Sequence, residues 1–305
     1  MILTIFKNYC NTHYLKNHYL RVNQKFANER FKKYPEVLMC DATHATNEEK
    51  RELFSITFKD RHNKVCPFVR APLPNTRNMI YHWLFSTFLK VHIPQKFRDR
   101  VRLLICDGDK NECSQIDFAI KSGIFPNAIR VRCIWHIVDR GWQRYKPVSQ
   151  LAENDPSVHD YNEKKMSKSL DDYSSMIKNW CFSFAKSDCE TKIEYDLSSN
   201  LLRDFVKSLS PTLGESITSR IEQFLEEHVF PHETEMCFYR RKCLPSYDQS
   251  MNTPHEGHYR GLKASPSGPK NNHSLLLATK KNNRYMSYLS ALQFVKKTSR
   301  QKNSN

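Results

Sequence analysis

The chain has 305 residues, of which 39 % are hydrophobic and 12 % aromatic, so general disorder is excluded and a substantial core can be buried. Its 48 Lys and Arg against 32 Asp and Glu leave a formal charge of +16, which favours an anionic polymer or surface as partner without choosing among DNA, RNA and membrane. No apolar run approaches the ~18 residues of a spanning helix, and Met1–Phe6 is too short for a signal-peptide core.

Residues 1–36 are helix-prone and basic, with aromatics but no clean stripe. Residues 37–42 read as a short buried strand, with Asp41 directly after the apolar run Val37–Cys40. Phe54, Ile56 and Phe58 alternate onto one face of a strand over 53–58, and a second strand over 65–69 follows the polar turn Asp60–Asn63. This pattern predicts an antiparallel hairpin beside the first strand. Asn75 is the expected cap of a helix whose apolar face is Met79, Ile80, Trp83, Leu84 and Phe88. A strand over 101–106, a helix near 112–121 and a short strand over 128–133 complete the series.

The order βββαβαβ is that of a ribonuclease H-like core, an α/β fold with a mixed sheet and flanking helices. Such cores carry acidic residues on the first and fourth strands, where Asp41 and Asp107 fall. A carboxylate at the end of a buried strand is held rigidly enough to bind a divalent ion. Three of them can hold two Mg²⁺ ions and activate water against a phosphodiester.

Residues 146–245 change character. Leu170, Tyr173, Met176, Ile177, Trp180 and Phe184 form one helical stripe. Leu201, Leu202, Phe205, Val206 and Leu209 form a second, with Asn200 as expected cap, and Ile217, Ile221, Phe224, Leu225 and Val229 a third. This block reads as an all-helical insertion. Beyond Glu256 no acidic residue remains, while ten Lys or Arg occur from Arg260 to Lys302. The expected organisation is a basic helical segment over 1–36, the first part of the core over 37–145, the insertion over 146–245, and a last core helix with Glu256 and a basic tail over 246–305.

Four ordered blocks resemble the Mutator-like element (MULE) transposase domain. Asp41-Ala42-Thr43-His44-Ala45-Thr46-Asn47 is similar to that family's D-x-T-x-x-T-N signature. Ile105-Cys106-Asp107-Gly108-Asp109 leads on to Ile120 and Phe125-Pro126, Cys133-Ile134-Trp135-His136 matches a C-x-x-H motif, and Asn252 to Lys263 resembles the segment bearing the last carboxylate. The resemblance implies a DDE-type transposase domain in the nucleus that acts on double-stranded DNA at terminal inverted repeats. Asp41, Asp107 and Glu256 would be its catalytic residues and the ligands of two Mg²⁺ or Mn²⁺ ions. A homo-oligomer on DNA is the expected assembly, with no membrane partner. The family's N-terminal zinc finger and C-terminal zinc knuckle have no counterpart in these residues, which implies a fragment or a decayed copy.

Each site residue has a competing reading. Asp109 could replace Asp107, but if the strand ends at Cys106 then Asp109 lies in the turn, as helix cap or as support for Asp107. Glu226, Glu227, Glu233 and Glu235 compete with Glu256. Cys133 and His136, one helical turn apart, suit zinc in residue type, or they pack beneath the active site with His136 reaching DNA phosphate or a catalytic carboxylate. Trp135 is expected in the core. Arg260 and Lys263 are expected to flank the scissile strand. The ten cysteines of so long a chain are not read as a disulfide scaffold, which favours a reducing compartment. The rival functions are a transposase-derived DNA-binding regulator without cleavage activity, a ribonuclease H-like nuclease acting on RNA or hybrids, and an inactive relic.

Overall fold

The computed structural model describes residues 24–145, apart from 44–47, 49, 51, 61, 63–64 and 74, together with residues 163–244. The described chain divides into two compact units at Ile129/Arg130. In the first, helix α1 (Gln24–Lys33) precedes strands β1 (Val37–Thr43), β2 (Leu53–Lys59) and β3 (Val65–Pro72). Helix α2 (Asn78–His82) runs through a π-helical stretch (Trp83–Phe88) into α3 (Leu89–His92), and α4 (Gln95–Arg98) follows. Strand β4 (Leu103–Cys106), helix α5 (Lys110–Lys121) and strand β5 (Ile129–Arg132) complete the order expected from sequence.

The five strands form one mixed sheet in the order β3-β2-β1-β4-β5. β1–β2 and β2–β3 pair antiparallel, so the hairpin lies beside the first strand as the alternation predicts, whereas β1 and β4 run parallel. β1 lies at the centre of the sheet: Val37, Leu38, Met39 and Cys40 are all buried, as a strand covered on both faces requires. Leu38, Cys40, Phe54, Ile56 and Phe58 pack into one core with Tyr81, Leu84 and Phe85 of the helical segment and Ile116 of α5. Phe54 meets Tyr81 and Phe85 edge-on, with ring centroids 5.8 and 6.2 Å apart. Arg100 ties α1 to the sheet by donating to the carbonyls of Lys32 and Lys33 at the helix C-terminus and to Glu36. The result is an α/β sheet with flanking helices, consistent with a ribonuclease H-like fold.

Two expectations fail locally in this unit. Asn75 is not the helix cap: its side chain accepts from the Arg77 amide at 3.0 Å, and Arg77 occupies the cap position. Met79 is exposed, and the buried set is Ile80, Tyr81, Leu84, Phe85 and Leu89. Met79 precedes the π stretch, in which the Leu89 amide bonds to the Leu84 carbonyl five residues back.

The second unit continues from β5 into a π-helical turn (His136–Arg140) and α6 (Gly141–Tyr145). Its later helices are α7 (Glu163–Ser183), α8 (Lys192–Ser208), α9 (Ser210–Leu213), α10 (Glu215–Phe224), a π turn (Leu225–Val229) and α11 (Glu233–Met236). Ile177, Phe184, Leu202, Val206, Leu209, Ile217, Ile221, Phe224, Leu225 and Val229 share one core, so most of the three stripes are read correctly. Met176 and Leu201 instead face solvent. Asn200 is not a cap but lies inside α8, where it accepts from Arg203. Thr191 starts that helix: its Oγ accepts from the Glu194 amide and Glu194 accepts back from the Thr191 amide, a reciprocal capping box.

Candidate metal centre

The ladder between β1 and β4 pairs Val37 with Leu103, Leu38 with Leu104 and Met39 with Ile105, a constant offset of 66 residues. Asp41 and Asp107 are separated by the same offset. Extending the register two residues therefore sets the aspartates side by side, and the two-residue side-chain period turns both to one face. One oxygen of each carboxylate lies within 4.8 Å of the other, close to the roughly 3–4 Å between two oxygens bound to one Mg²⁺ at about 2.1 Å. Asp41 is only 2 % exposed, and Ser55 of β2 stands across from it in the register.

β4 ends at Cys106, so Asp107 is the first residue past the strand. Gly108 then adopts φ 102°, a left-handed conformation that glycine enters without a steric penalty. That turn reverses the chain so that Asp109 becomes the N-cap of α5, its carboxylate accepting from the amides of Asn111 at 3.0 Å and Glu112 at 2.9 Å. The Asp109 amide in turn donates to Asp107 Oδ1 at 3.2 Å. Asp109 is thus exposed and caps the helix, while Asp107 lies beside Asp41.

Glu112, in the first turn of α5, is a buried carboxyl that sequence reasoning missed. It is 2 % exposed, and its Oε1 has no hydrogen-bond partner among the described residues. Burial, then the charge of Asp107 and the hydrogen bond to it, with smaller contributions from Cys113 and Asp41, hold the Glu112 carboxyl well above the ordinary carboxylate range. The Cys40 thiol behind the site is pushed up by burial and then by the charges of Glu112, Asp107 and Asp41. The Tyr81 phenol is raised by burial first and by Glu112 second. The available signal was Asp109-Lys110-Asn111-Glu112, which has the spacing of a capping box. In a capping box the glutamate returns to the cap amide, as Glu194 does, yet here that amide goes to Asp107 and Glu112 is buried.

The donor set fits a hard divalent cation: carboxylate oxygens on rigid elements suit Mg²⁺ or Mn²⁺ better than softer metals. Glu256, Arg260 and Lys263 lie outside the described residues. Cys133 and His136 belong to the second unit. There Cys133 is fully buried and its carbonyl accepts from the Ile137 amide at 3.2 Å, while His136 is half-buried and edge-on to Trp135. Trp135 is not a core residue. It is half-buried beneath the Arg140 guanidinium, 4.9 Å from the ring centroid, because Ile134 and Ile137 take the inward positions. The nine described cysteines are all free thiols.

A mixed sheet with two aspartates at the ends of adjacent parallel strands defines the class as an α/β domain with a candidate carboxylate metal centre. Residues 37–140 match the family model of the MULE transposase domain, the family that the sequence motifs resemble. The matched segment runs from the start of β1 to the end of the first π-helical turn after β5, and contains Asp41, Asp107, Glu112, Cys133 and His136. No curated protein matches the chain at a significant level. The match points to a transposase-related function. Among the described residues no helix is long and apolar enough to cross a membrane.

Proposed function

We propose that the protein is a DDE-type transposase that cleaves DNA strands at terminal inverted repeats and joins them to a target. The observation that carries this reading is the pairing of Asp41 and Asp107 at the ends of parallel strands, inside the segment matched to the MULE transposase domain. Two Mg²⁺ or Mn²⁺ ions would be held by Asp41, Asp107 and Glu256, with Asp41 shared between them. When bound, such ions lower the pKa of the attacking water and stabilise the leaving 3′ oxygen.

The residues of the chain supply position. Rigid strand ends fix Asp41 and Asp107, and the Asp109 amide restricts Asp107 by donating to it. Cys133, His136, Arg260 and Lys263 contact the DNA in this reading, and the net charge of +16 draws the polyanion in. The helical block over 146–245 is an insertion between β5 and the segment bearing Glu256. The protein works in the nucleus as a homo-oligomer on double-stranded DNA.

The test is a nicking and strand-transfer assay on duplex DNA carrying the terminal repeats that flank its gene, with Mn²⁺ or Mg²⁺ and with EDTA. Cleavage in the presence of the ion and none with EDTA is the expected result. Tight binding of the same duplex without cleavage under any divalent ion would instead identify a DNA-binding regulator derived from a transposase. Preference for an RNA–DNA hybrid over duplex DNA would identify a different nuclease.

A further inference from the structure

We propose that Cys106 and Cys113 form a reversible disulfide when the protein meets peroxide, and that closing it weakens the hold of Asp41 and Asp107 on a divalent ion. The disulfide goes beyond the transposase reading and stands without it. The effect on the ion rests on that reading for the identity of the site.

The two sulfurs lie 3.6 Å apart, close enough for one thiol to donate to the other. Cys106 is the last residue of β4 and is fully buried in the core of the sheet unit, while Cys113 on α5 is half-buried and packs against that core. The turn through Gly108 makes this meeting possible, since it lays α5 back against the end of its own strand. To bond, the sulfurs must approach by about 1.5 Å.

Asp107 lies inside the loop that such a bond closes. The Cys113 amide donates to the Asp109 carbonyl at 2.9 Å, and the Asp109 amide donates to Asp107 Oδ1 at 3.2 Å. Movement of Cys113 toward β4 is therefore passed through these bonds to the carboxylate beside Asp41. Disturbing the groups that support a metal ligand costs about ten- to a hundredfold in affinity.

Cys113 is the sulfur that solvent reaches. Its attack on hydrogen peroxide forms an S–O bond and breaks the O–O bond, giving a sulfenic acid and water. Cys106 then attacks that sulfur: an S–S bond forms, the S–O bond breaks and a second water leaves. Two thiols and one peroxide thus become one disulfide and two waters, and dithiothreitol reverses the step by exchange. Cys40 is the competitor for Cys106, because continuing the β1–β4 register by one residue sets the two side by side, but it is fully buried.

The experiment treats the whole chain with hydrogen peroxide, blocks the remaining thiols with iodoacetamide and maps tryptic peptides by mass spectrometry. Trypsin cuts after Arg102, Lys110 and Lys121, so residues 103–110 and 111–121 stay joined only through the disulfide. That joined pair, separated by dithiothreitol, is the expected product. Its absence overturns the inference, whether Cys106 is joined to Cys40 instead or Cys113 is carried on to sulfinic acid. Mn²⁺ binding is then read by electron paramagnetic resonance on the reduced and the oxidised chain, with peroxide and reductant removed. Oxidation is expected to weaken binding about tenfold or more, reversibly, while Cys113→Ser binds as the reduced wild type does before and after peroxide. Unchanged affinity in the bridged chain, or an equal loss in Cys113→Ser, overturns the effect on the ion. A reduced chain that binds no Mn²⁺ at millimolar concentration refutes the metal centre and that effect together, and the linked peptides still decide the disulfide.

Discussion

Asp107 and Asp109 stand two residues apart, and exchanging each for asparagine separates a metal ligand from a helix cap. Asp109 accepts from the amides of Asn111 and Glu112. Asparagine keeps a side-chain oxygen for that purpose, and the two residues are nearly equivalent at the N-cap. What Asp109→Asn removes is the charge facing the helix N-terminus, worth about 0.3–1 kcal/mol. Asp109→Ala removes the acceptor as well and costs about 1 kcal/mol. Even if all of that appeared at the site, it would lower the cleavage rate only about fivefold, since about 1.4 kcal/mol is a factor of ten. Asp107→Asn removes a negatively charged oxygen from the ion, and cleavage falls by about a hundredfold or more. The assay is the initial rate of Mn²⁺-dependent duplex cleavage, paired with thermal melting by circular dichroism. If Asp109→Asn is as inactive as Asp107→Asn while its melting is unchanged, Asp109 is a ligand and the assignment of roles along this turn is refuted.

Gly141→Ala tests the packing of the second unit, since helix propensity alone favours the change by about 1 kcal/mol. A Cβ there would collide with the His228 ring and lie 3.1 Å from Phe224 Cε2, and overpacking of about 1–3 kcal/mol is expected to win. Urea unfolding should show net loss of stability, recovered in Gly141→Ala/His228→Ala, and a net gain in the single variant would contradict the packing. His228 itself is held down to about 4 by burial first and then by Arg132, His232 and Arg144. Its folded value lies below its unfolded one, so its contribution is full above about pH 6.5 and is lost as pH falls through about 4, amounting to about 1–2 kcal/mol once screening of a half-buried ring is allowed for. Unfolding measured from pH 7 to 4 should lose this slope in His228→Gln, and an identical slope would assign the effect elsewhere. Finally, the logarithm of the DNA-binding constant should fall by about 0.9 per phosphate neutralised for each decade of salt. A flat salt titration would remove the electrostatic account of DNA binding.

The sheet was legible because its signal is local. Alternation at Phe54, Ile56 and Phe58 and the apolar runs before Asp41 and Asp107 are properties of short segments, and the β order followed from them. The shared offset that sets Asp41 beside Asp107 was also present in the numbering, although only the pairing of β1 with β4 gives it meaning. Helix phase was less legible. Met79 fits a 3.6-residue stripe yet faces solvent, and at Asn200 a polar residue inside a helix resembles the start of one. Glu112 was hidden for a different reason. Its position in the sequence fits a common surface motif, and only the structure shows it to be buried. Glu256, Arg260 and Lys263 stay proposals drawn from resemblance and charge.

The most direct measurement is the rate of Mn²⁺-dependent cleavage of terminal-repeat duplex by wild type, Asp41→Ala and Asp107→Ala, each shown to melt as a folded chain. The account predicts that either substitution lowers the rate by about a hundredfold or more while DNA binding persists. Cleavage that survives loss of either aspartate would contradict it.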